Sequence, residues 1–185
     1  EFLSAIFKDL IGDEKPMVLS IKGTIDASTK WPAGIGWTPG LDTSDPALNW
    51  YFTLSTYLPD GGAFRRRKQQ FHRAFGVMLD DIGTKAAPRA RLDACPPAYL
   101  IETSPGNFQA GYLFSEPCAD LSQLDALQNA LVGAGLCDPG AKGPSARVGR
   151  LPVGLNGKYS PPQICRLAEW HPERRYRIED IGTLL

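Results

Sequence analysis

The chain has 185 residues, of which 43% are hydrophobic, and its 20 basic and 20 acidic side chains give a formal net charge of zero. This length suits one substantial hydrophobic core and is short for two, so we expect a single domain over residues 1–185. The balanced charge excludes the global positive field of many duplex-DNA binders, and any contact with nucleic acid must therefore be local.

The cysteine spacing and the length of the apolar runs narrow the possible classes of protein further. The four cysteines show no CxxC spacing and there are no paired histidines, which argues against a zinc knuckle or a redox pair. No apolar run approaches the roughly 20 residues of a membrane span, and no leader is evident. We expect a soluble cytoplasmic protein without a membrane partner. The chain begins at Glu1 without an initiator methionine, which favours a domain excised from a longer polypeptide.

Helical spacing of apolar residues in Phe2–Ile11 predicts a packing helix at the start of the chain. Met17–Lys22 alternates well enough to predict a short strand, and the aromatic-rich Asn49–Ser55 predicts another. The intervening segment Trp31–Gly40 is rich in proline and glycine and predicts a loop. Its tryptophans either pack beneath the loop, against the hydrophobic core, or stack on nucleic-acid bases.

One concentrated basic segment follows, consisting of Arg65, Arg66, Arg67 and Lys68. Four consecutive cations are commonly a solvated surface. Placed just before the acidic strand described next, they are equally suited to attracting a polyphosphate or the backbone of a template strand.

The run Phe75–Asp81 places four apolar side chains directly before two carboxylates, Asp80 and Asp81. Such a run is typical of a strand that is buried on both faces. Two adjacent carboxylates repel each other, and desolvating either is costly unless a cation or a hydrogen-bond donor compensates. A divalent metal ion is one solution, whereas the alternative is that one of the two aspartates only caps the next turn.

A hairpin is predicted from Ala98–Thr103 and Phe108–Phe114, which flank a Pro-Gly pair suited to a type II turn. Ser104, Asn107 and Gln109 lie at or near its tip. Together with the turn amides they form either a small anion-binding nest or an ordinary polar hairpin end.

The remaining chain supplies a helix, a third acid and more cations. Asp120 or Ser122 opens a helix with leucines at helical spacing. Asp138 follows it and either turns back toward the strand ends or shapes a turn. Arg147–Lys158 predicts a glycine-rich cationic loop that could hold phosphates closely. Ile164–Trp170 predicts a final strand, so the whole order indicates an α+β fold with a mixed, mainly antiparallel sheet.

The order of these motifs resembles the RepB-type primases of plasmids and phages, in the archaeo-eukaryotic primase and primase-polymerase superfamily. The resemblance runs from Asn49 to about Lys158. It is carried by Leu-Asp-Asp at 79–81, Glu-Thr-Ser-Pro-Gly-Asn-Phe-Gln-Ala at 102–110, Asp-Pro at 138–139 and Gly-Arg-Leu-Pro-Val-Gly-Leu-Asn-Gly-Lys at 149–158. It implies an RRM-like sheet with flanking helices and a metal-dependent nucleotidyltransferase that synthesises primers on single-stranded DNA for plasmid or phage replication.

The resemblance also implies roles for individual residues and partners. Catalysis and the binding of Mg²⁺ or Mn²⁺ fall to Asp80, Asp81 and Asp138. Nucleotide binding falls to Ser104, Asn107, Gln109, Arg150, Asn156 and Lys158. The basic segment Arg65, Arg66, Arg67 and Lys68 is the expected contact with DNA. The expected partners are nucleoside triphosphates, a single-stranded DNA template and a replicative helicase that is fused or recruited.

Two departures from the wider superfamily stand out. Many relatives separate the two acids by one residue, so that both face the same side of a strand. Asp80 and Asp81 are adjacent and must diverge unless the strand ends or twists there, which would leave one of them outside the metal's direct ligands. The wider superfamily also has a histidine where Gln109 stands. Because glutamine carries no charge, phosphate neutralisation would depend more on Arg150 and Lys158.

Two other functions are compatible with parts of the pattern. One is a non-catalytic single-stranded DNA or origin-binding domain on the same fold, which the retained carboxylates disfavour. The other is a metal-dependent nuclease, which the cationic glycine-rich stretch disfavours. The preference for ribo- or deoxynucleotides, the template start sequence, the extent of primer extension and the oligomeric state are not determined by the sequence.

Overall fold

The computed structural model describes residues 1–138 and 143–184. Its helices are α1 (Phe2–Ile6), α2 (Leu121–Gly133) and α3 (Ile178–Leu184). Its strands are β1 (Lys15–Lys22), β2 (Ile35–Gly36), β3 (Leu48–Tyr57), β4 (Phe71–Ile82), β5 (Tyr99–Ser104), β6 (Asn107–Cys118), β7 (Gly149–Asn156), β8 (Gln163–Ile164), β9 (Arg166–Trp170) and β10 (Arg175–Tyr176). Over these residues, no helix is long and apolar enough to cross a membrane.

The strands join in one sheet with the order β2-β1-β3-β4-β6-β5-β9. Strand β7 pairs with both β3 and β8, and β10 runs parallel to β6 while the other pairs are antiparallel. The predicted α+β fold with a mixed, mainly antiparallel sheet is therefore confirmed.

Strand β3 has two different neighbours along the same edge. Its first half pairs with β7, through Asn49, Tyr51 and Phe52. Its second half pairs with β4, through Ser55 and Tyr57. Strands β4 and β7 thus lie on the same side of β3, and no ladder joins them to each other within the described residues. A gap opens between them, and polar side chains fill it.

Apolar residues cover both faces of the central strands. One cluster places Leu124 and Leu127 of α2 against Val77 and Leu79 of β4. The other places α1 and β3 against the opposite side of β4, where Met78 is buried. The apolar run before the two aspartates is therefore a strand buried on both faces, as predicted.

The helix predicted over Phe2–Ile11 is wrong in length, because α1 ends at Ile6. One long-range and one local polar contact use the backbone that would have continued it. Arg73 on β4 donates to the Asp9 carbonyl at 2.6 Å, and the Ile11 N–H donates to the Glu14 carboxylate at 2.8 Å. Periodicity alone could not reveal these competing partners.

The glycine-rich loop predicted over Arg147–Lys158 is also wrong, because most of it forms strand β7. Its glycines allow close packing within the protein. A Cβ at Gly154 would lie 2.1 Å from the Leu48 carbonyl oxygen, and one at Gly149 would lie 2.1 Å from the Met78 Cε. The close approach that these glycines permit is thus to neighbouring strands and not to a ligand.

The strand predicted over Ile164–Trp170 is divided in the structure. Ile164 belongs to β8, which pairs with β7, whereas β9 pairs with β5. Cys165 stands between them and donates its N–H to the Gly154 carbonyl at 3.0 Å. The break lets one extended segment serve two different strands.

A buried carboxylate joins the N-terminal segment to the sheet. Glu14 is 2% exposed, forms an ion pair with Arg73 and accepts a hydrogen bond from the Thr56 hydroxyl. Burial alone would raise the pKa of Glu14, but the hydrogen bonds from Arg73, Thr56 and the Ile11 N–H outweigh it and hold the pKa below its ordinary value of 4.5.

We expect Glu14→Gln to lower the free energy of unfolding at neutral pH by about 3 kcal/mol, because Arg73 would lose its buried counter-charge. A carboxylate with a lowered folded-state pKa stabilises the protein fully above the unfolded-state pKa, and that contribution is lost as the pH falls through the folded-state value. Urea unfolding across an acidic pH series should therefore show a steeper loss for the wild type than for the variant. The exposed Glu173→Gln is the control, and equal pH profiles for wild type and Glu14→Gln would contradict this role.

Candidate active site

A β-bulge lies at the end of β4. Between Leu79 and Ile82 the register with β6 shifts, so that two residues of β4 stand opposite one residue of β6. Those two residues are Asp80 and Asp81. Asp81 adopts a positive φ of 60°, in the left-handed region that aspartate tolerates better than most residues.

The bulge brings both aspartates to side chains on one face of β6. Gln109 donates from Nε2 to Asp80 Oδ1 at 3.1 Å, and Asn107 donates from Nδ2 to Asp81 Oδ1 at 3.1 Å. Asn107 and Gln109 are two residues apart on a strand, so their side chains share a face. Adjacent acids were expected to diverge unless the strand twisted, and the bulge supplies that twist.

Each carboxylate also faces a cation through its second oxygen. Arg147 Nη2 lies 3.4 Å from Asp80 Oδ2, and Lys85 Nζ lies 3.6 Å from Asp81 Oδ2. Arg147 is the more buried of the two cations, with a side chain 14% exposed against 80% for Lys85. Sequence reasoning noted Arg147 only as one cation of the glycine-rich stretch, because no spacing rule linked it to Asp80. Lys85 was missed, although it stands four residues after Asp81.

Gln109 bridges the gap between β4 and β7. Its Nε2 holds Asp80, and its Oε1 accepts the Arg150 N–H at 2.8 Å. The side chain is 6% exposed and both of its polar atoms are engaged. Gln109 therefore links Asp80 on β4 to the backbone of β7.

The side chains of Arg150 and Asn156 are buried beneath the site, each about 4% exposed. The Arg150 guanidinium donates to Asn156 Oδ1 at 2.6 Å and to Asn49 Oδ1 at 3.3 Å. It also lies 4.6 Å from the centre of the Tyr51 ring, which favours a cation. Asn156 in turn donates to the Thr103 carbonyl at 2.9 Å. These contacts fix β7 to β3 and β5.

The hairpin tip carries the remaining predicted nucleotide-binding residues. Ser104 Oγ donates to the Tyr159 hydroxyl at 3.1 Å, and the neighbouring Lys158 is exposed. The Gly106 N–H, expected to help line an anion nest, donates instead to the Glu102 side chain at 3.2 Å. Of the predicted cations, Lys158 is therefore better placed than Arg150 to meet a ligand from solvent.

Asp138 is half-buried and directly follows Cys137, whose Sγ lies 3.8 Å from the Met78 carbonyl on β4. The chain at Asp138 is thus tied close to the strand that ends in the acid pair. Pro139, the other half of the predicted Asp-Pro motif, lies outside the described residues.

The donors present suit a hard divalent cation. Asp80 and Asp81 offer two carboxylates on one face, and oxygen ligands of this kind favour Mg²⁺ or Mn²⁺. Across residues 1–138 and 143–184, no group of three histidine, cysteine, aspartate or glutamate side chains is arranged to hold a metal ion. The acid pair fits a metal, and any further ligand must come from Asp138 after rearrangement, from a substrate or from water.

The basic segment divides into structural and exposed cations. Arg66 is half-buried and donates from Nη1 to the Ala146 carbonyl at 3.1 Å, and burial lowers its pKa. Lys68 Nζ lies 3.8 Å from Asp125 Oδ2 on α2. Arg65 and Arg67 are exposed. Three of the four cations of this segment are therefore exposed to solvent, as its composition indicates, whereas Arg66 is half-buried.

Comparison with solved structures shows a shared fold. The chain is similar to the archaeo-eukaryotic primase domain of the Cyanophage S-2L primase-polymerase, with a TM-score of 0.68, 15% identity and coverage of 100% of this chain and 95% of that chain. It is also similar to the catalytic domain of primase RepB′ in complex with initiator DNA, with a TM-score of 0.58, 20% identity and coverage of 92% and 83%. Another primase RepB′ structure has a TM-score of 0.51 and 21% identity, and the match covers 74% of this chain and 43% of that one.

No curated protein matches the chain. The family model described as the RepB DNA-primase N-terminal domain matches residues 52–181, which is well over half of the chain. The motifs around Asp80, Asn107, Gln109 and Arg150 all lie within this match. The protein therefore belongs to the RepB DNA-primase N-terminal domain family, and this membership supports a primase-like role in DNA replication.

Proposed function

We propose that this domain is a metal-dependent nucleotidyltransferase that synthesises primers on single-stranded DNA for plasmid or phage replication in the cytoplasm, as one part of a longer replication protein. The observation that carries the proposal is the bulge at the end of β4. It turns Asp80 and Asp81 toward one face, where Asn107 and Gln109 hold them. A domain that only bound DNA would gain nothing from a bulge that keeps two repelling carboxylates together.

Asp80 and Asp81, with Asp138 as the third acid, are the proposed ligands for Mg²⁺ or Mn²⁺. Such ions, when bound, supply Lewis-acid activation of the attacking hydroxyl and neutralise charge on the leaving pyrophosphate. The protein's own contribution is orientation. Gln109 and Asn107 each bond one oxygen of an aspartate and leave the other oxygen toward a cation, Arg147 or Lys85.

The nucleotide and the template are proposed to meet different cations. Lys158 is exposed beside the hairpin tip and is available to a triphosphate. Arg150 and Asn156 are proposed to act indirectly, by fixing β7 beneath Gln109. Arg65 and Arg67 are the proposed contacts with the template backbone. A replicative helicase, fused or recruited, is the proposed partner because a primase works on unwound DNA.

Asp81→Asn tests the proposed chemistry while preserving the bulge, because asparagine also tolerates a positive φ. We expect extension of single-stranded templates, measured with labelled nucleotides and Mg²⁺ or Mn²⁺, to fall by roughly two to four orders of magnitude. The exposed Asp93→Asn is the matched control and should retain wild-type activity. Product formed without an annealed primer identifies a primase. Template binding without product under any condition would leave a non-catalytic single-stranded DNA or origin-binding domain.

Gln109→Glu tests the orienting role of the bridge. Glutamate keeps an acceptor for the Arg150 N–H but replaces the donor to Asp80 with an anionic oxygen that repels it. Loss of such a supporting contact should lower activity about 10- to 100-fold, with a higher metal concentration needed for half-maximal product. The control is Gln123→Glu, at an exposed position on α2. Unchanged activity and metal dependence in Gln109→Glu would show that Asp80 needs no such support.

A further inference from the structure

Two aromatic side chains in the described structure are largely exposed, Trp31 at 45% and Tyr159 at 43%. The other tryptophans, tyrosines and phenylalanines of residues 1–138 and 143–184 are buried or half-buried. Leaving an indole ring in water forgoes the free energy that its burial would contribute. Trp31 and Tyr159 are therefore the described aromatic rings with the most surface open to a stacking partner.

Trp31 stands at the end of a continuous series of contacts that leads to the acid pair. Its ring centre lies 4.9 Å from that of Tyr51, in an edge-to-face arrangement, and the Tyr51 ring lies 4.6 Å from the Arg150 guanidinium. The Arg150 N–H bonds Gln109, which bonds Asp80. This series runs through buried side chains, but Arg66 bonds both the Pro32 carbonyl and the Ala146 carbonyl, beside the Arg147 that faces Asp80, so the loop of Trp31 adjoins that side of the candidate active site.

The loop that carries Trp31 is held in place by the basic segment. Arg66 donates from Nη2 to the Pro32 carbonyl at 3.4 Å and from Nη1 to the Ala146 carbonyl, one residue before Arg147. A Cβ at Gly36, on the strand β2 that follows the loop, would lie 3.4 Å from the Phe64 ring, so this ring packs against β2. The exposed indole is thus attached to a supported backbone.

Exposed cations surround this anchored loop. Lys30 directly precedes Trp31 and is exposed, and Arg65 and Arg67 flank the anchoring Arg66 and are exposed as well. An aromatic ring with several separated cations is the combination by which proteins hold single-stranded nucleic acid, because bases stack on the ring while phosphates meet the cations. A duplex offers no comparable base face, since its bases are stacked on one another.

We propose that Trp31 is the stacking residue for a base of the single-stranded DNA template at the edge of the active site, with Lys30, Arg65 and Arg67 contacting the adjacent phosphates. This inference rests on the proposed primase function for the identity of the strand. A free nucleoside triphosphate is the less suitable occupant, because three cations spread along two segments match a phosphodiester backbone better than one compact triphosphate.

The test is the binding of a fluorescently labelled oligothymidylate, followed by anisotropy in EDTA so that no catalysis contributes. Trp31→Leu keeps an apolar side chain without an aromatic face and should weaken binding about tenfold, whereas Trp31→Phe should stay within about threefold of the wild type. The slope of log Kd against log salt should be unchanged in Trp31→Leu. In Arg65→Gln the magnitude of the slope should fall by about 0.7, the value for one phosphate contact on a single strand.

Ile35→Ala is the matched control, because Ile35, in strand β2 four residues after Trp31, is 54% exposed and has no ring. Its affinity should equal that of the wild type. Quenching of intrinsic tryptophan fluorescence by the oligonucleotide should also be lost in Trp31→Phe, which separates direct stacking from an indirect change.

Three results would overturn the proposal: wild-type affinity in Trp31→Leu, an equal loss in Trp31→Phe, or an equal loss in Ile35→Ala. The outcome is separable from that of the proposed function. Absence of primer synthesis by the wild type, together with the expected loss in Trp31→Leu, would reject the enzyme and keep the stacking residue. Primer synthesis by the wild type, together with wild-type DNA binding by Trp31→Leu, would support the enzyme and reject Trp31 as the stacking residue.

Discussion

One backbone constraint organises the candidate site, namely the extra residue that β4 carries at its end. Without the bulge, adjacent aspartates on a strand would point to opposite faces of the sheet. With it, Asp80 and Asp81 both meet side chains from one face of β6, and the left-handed conformation of Asp81 is the local cost. The spacing of Asn107 and Gln109 has a function only because of this bulge, since each of them holds one of the two carboxylates.

The gap between β4 and β7 explains why so many polar groups are buried here. Two strands that share β3 as a neighbour but do not pair leave backbone groups to be satisfied by side chains. Gln109 closes the gap at one level, and beneath it Arg150 and Asn156 tie β7 to β3 and β5. A buried polar network of this kind holds one geometry when all its members are bonded, which is the rigidity that a site for oriented chemistry needs.

The net charge of the chain is zero, but its cations differ in burial and in the partners they contact. Arg66 is half-buried and Arg150 is buried, and both stabilise loops and strands through carbonyl and amide oxygens. Others, such as Arg65 and Lys158, are exposed. Which cations are buried and which are exposed is a feature that composition alone does not distinguish.

The sequence by itself determined the elements whose signals are local. The apolar run before Asp80 predicted a doubly buried strand, the Pro-Gly pair predicted the hairpin, Asp120 predicted the start of α2, and the order of motifs predicted the family and its fold class. Tertiary structure decided what depends on distant partners. The segment after the first helix bonds Arg73 of β4 through the Asp9 carbonyl, and the glycines near Arg150 allow strands to approach each other. The pairing of Arg147 with Asp80 joins residues 67 positions apart. Periodicity and propensity report on neighbours along the chain, whereas these features arise from side chains that meet only after the sheet has formed.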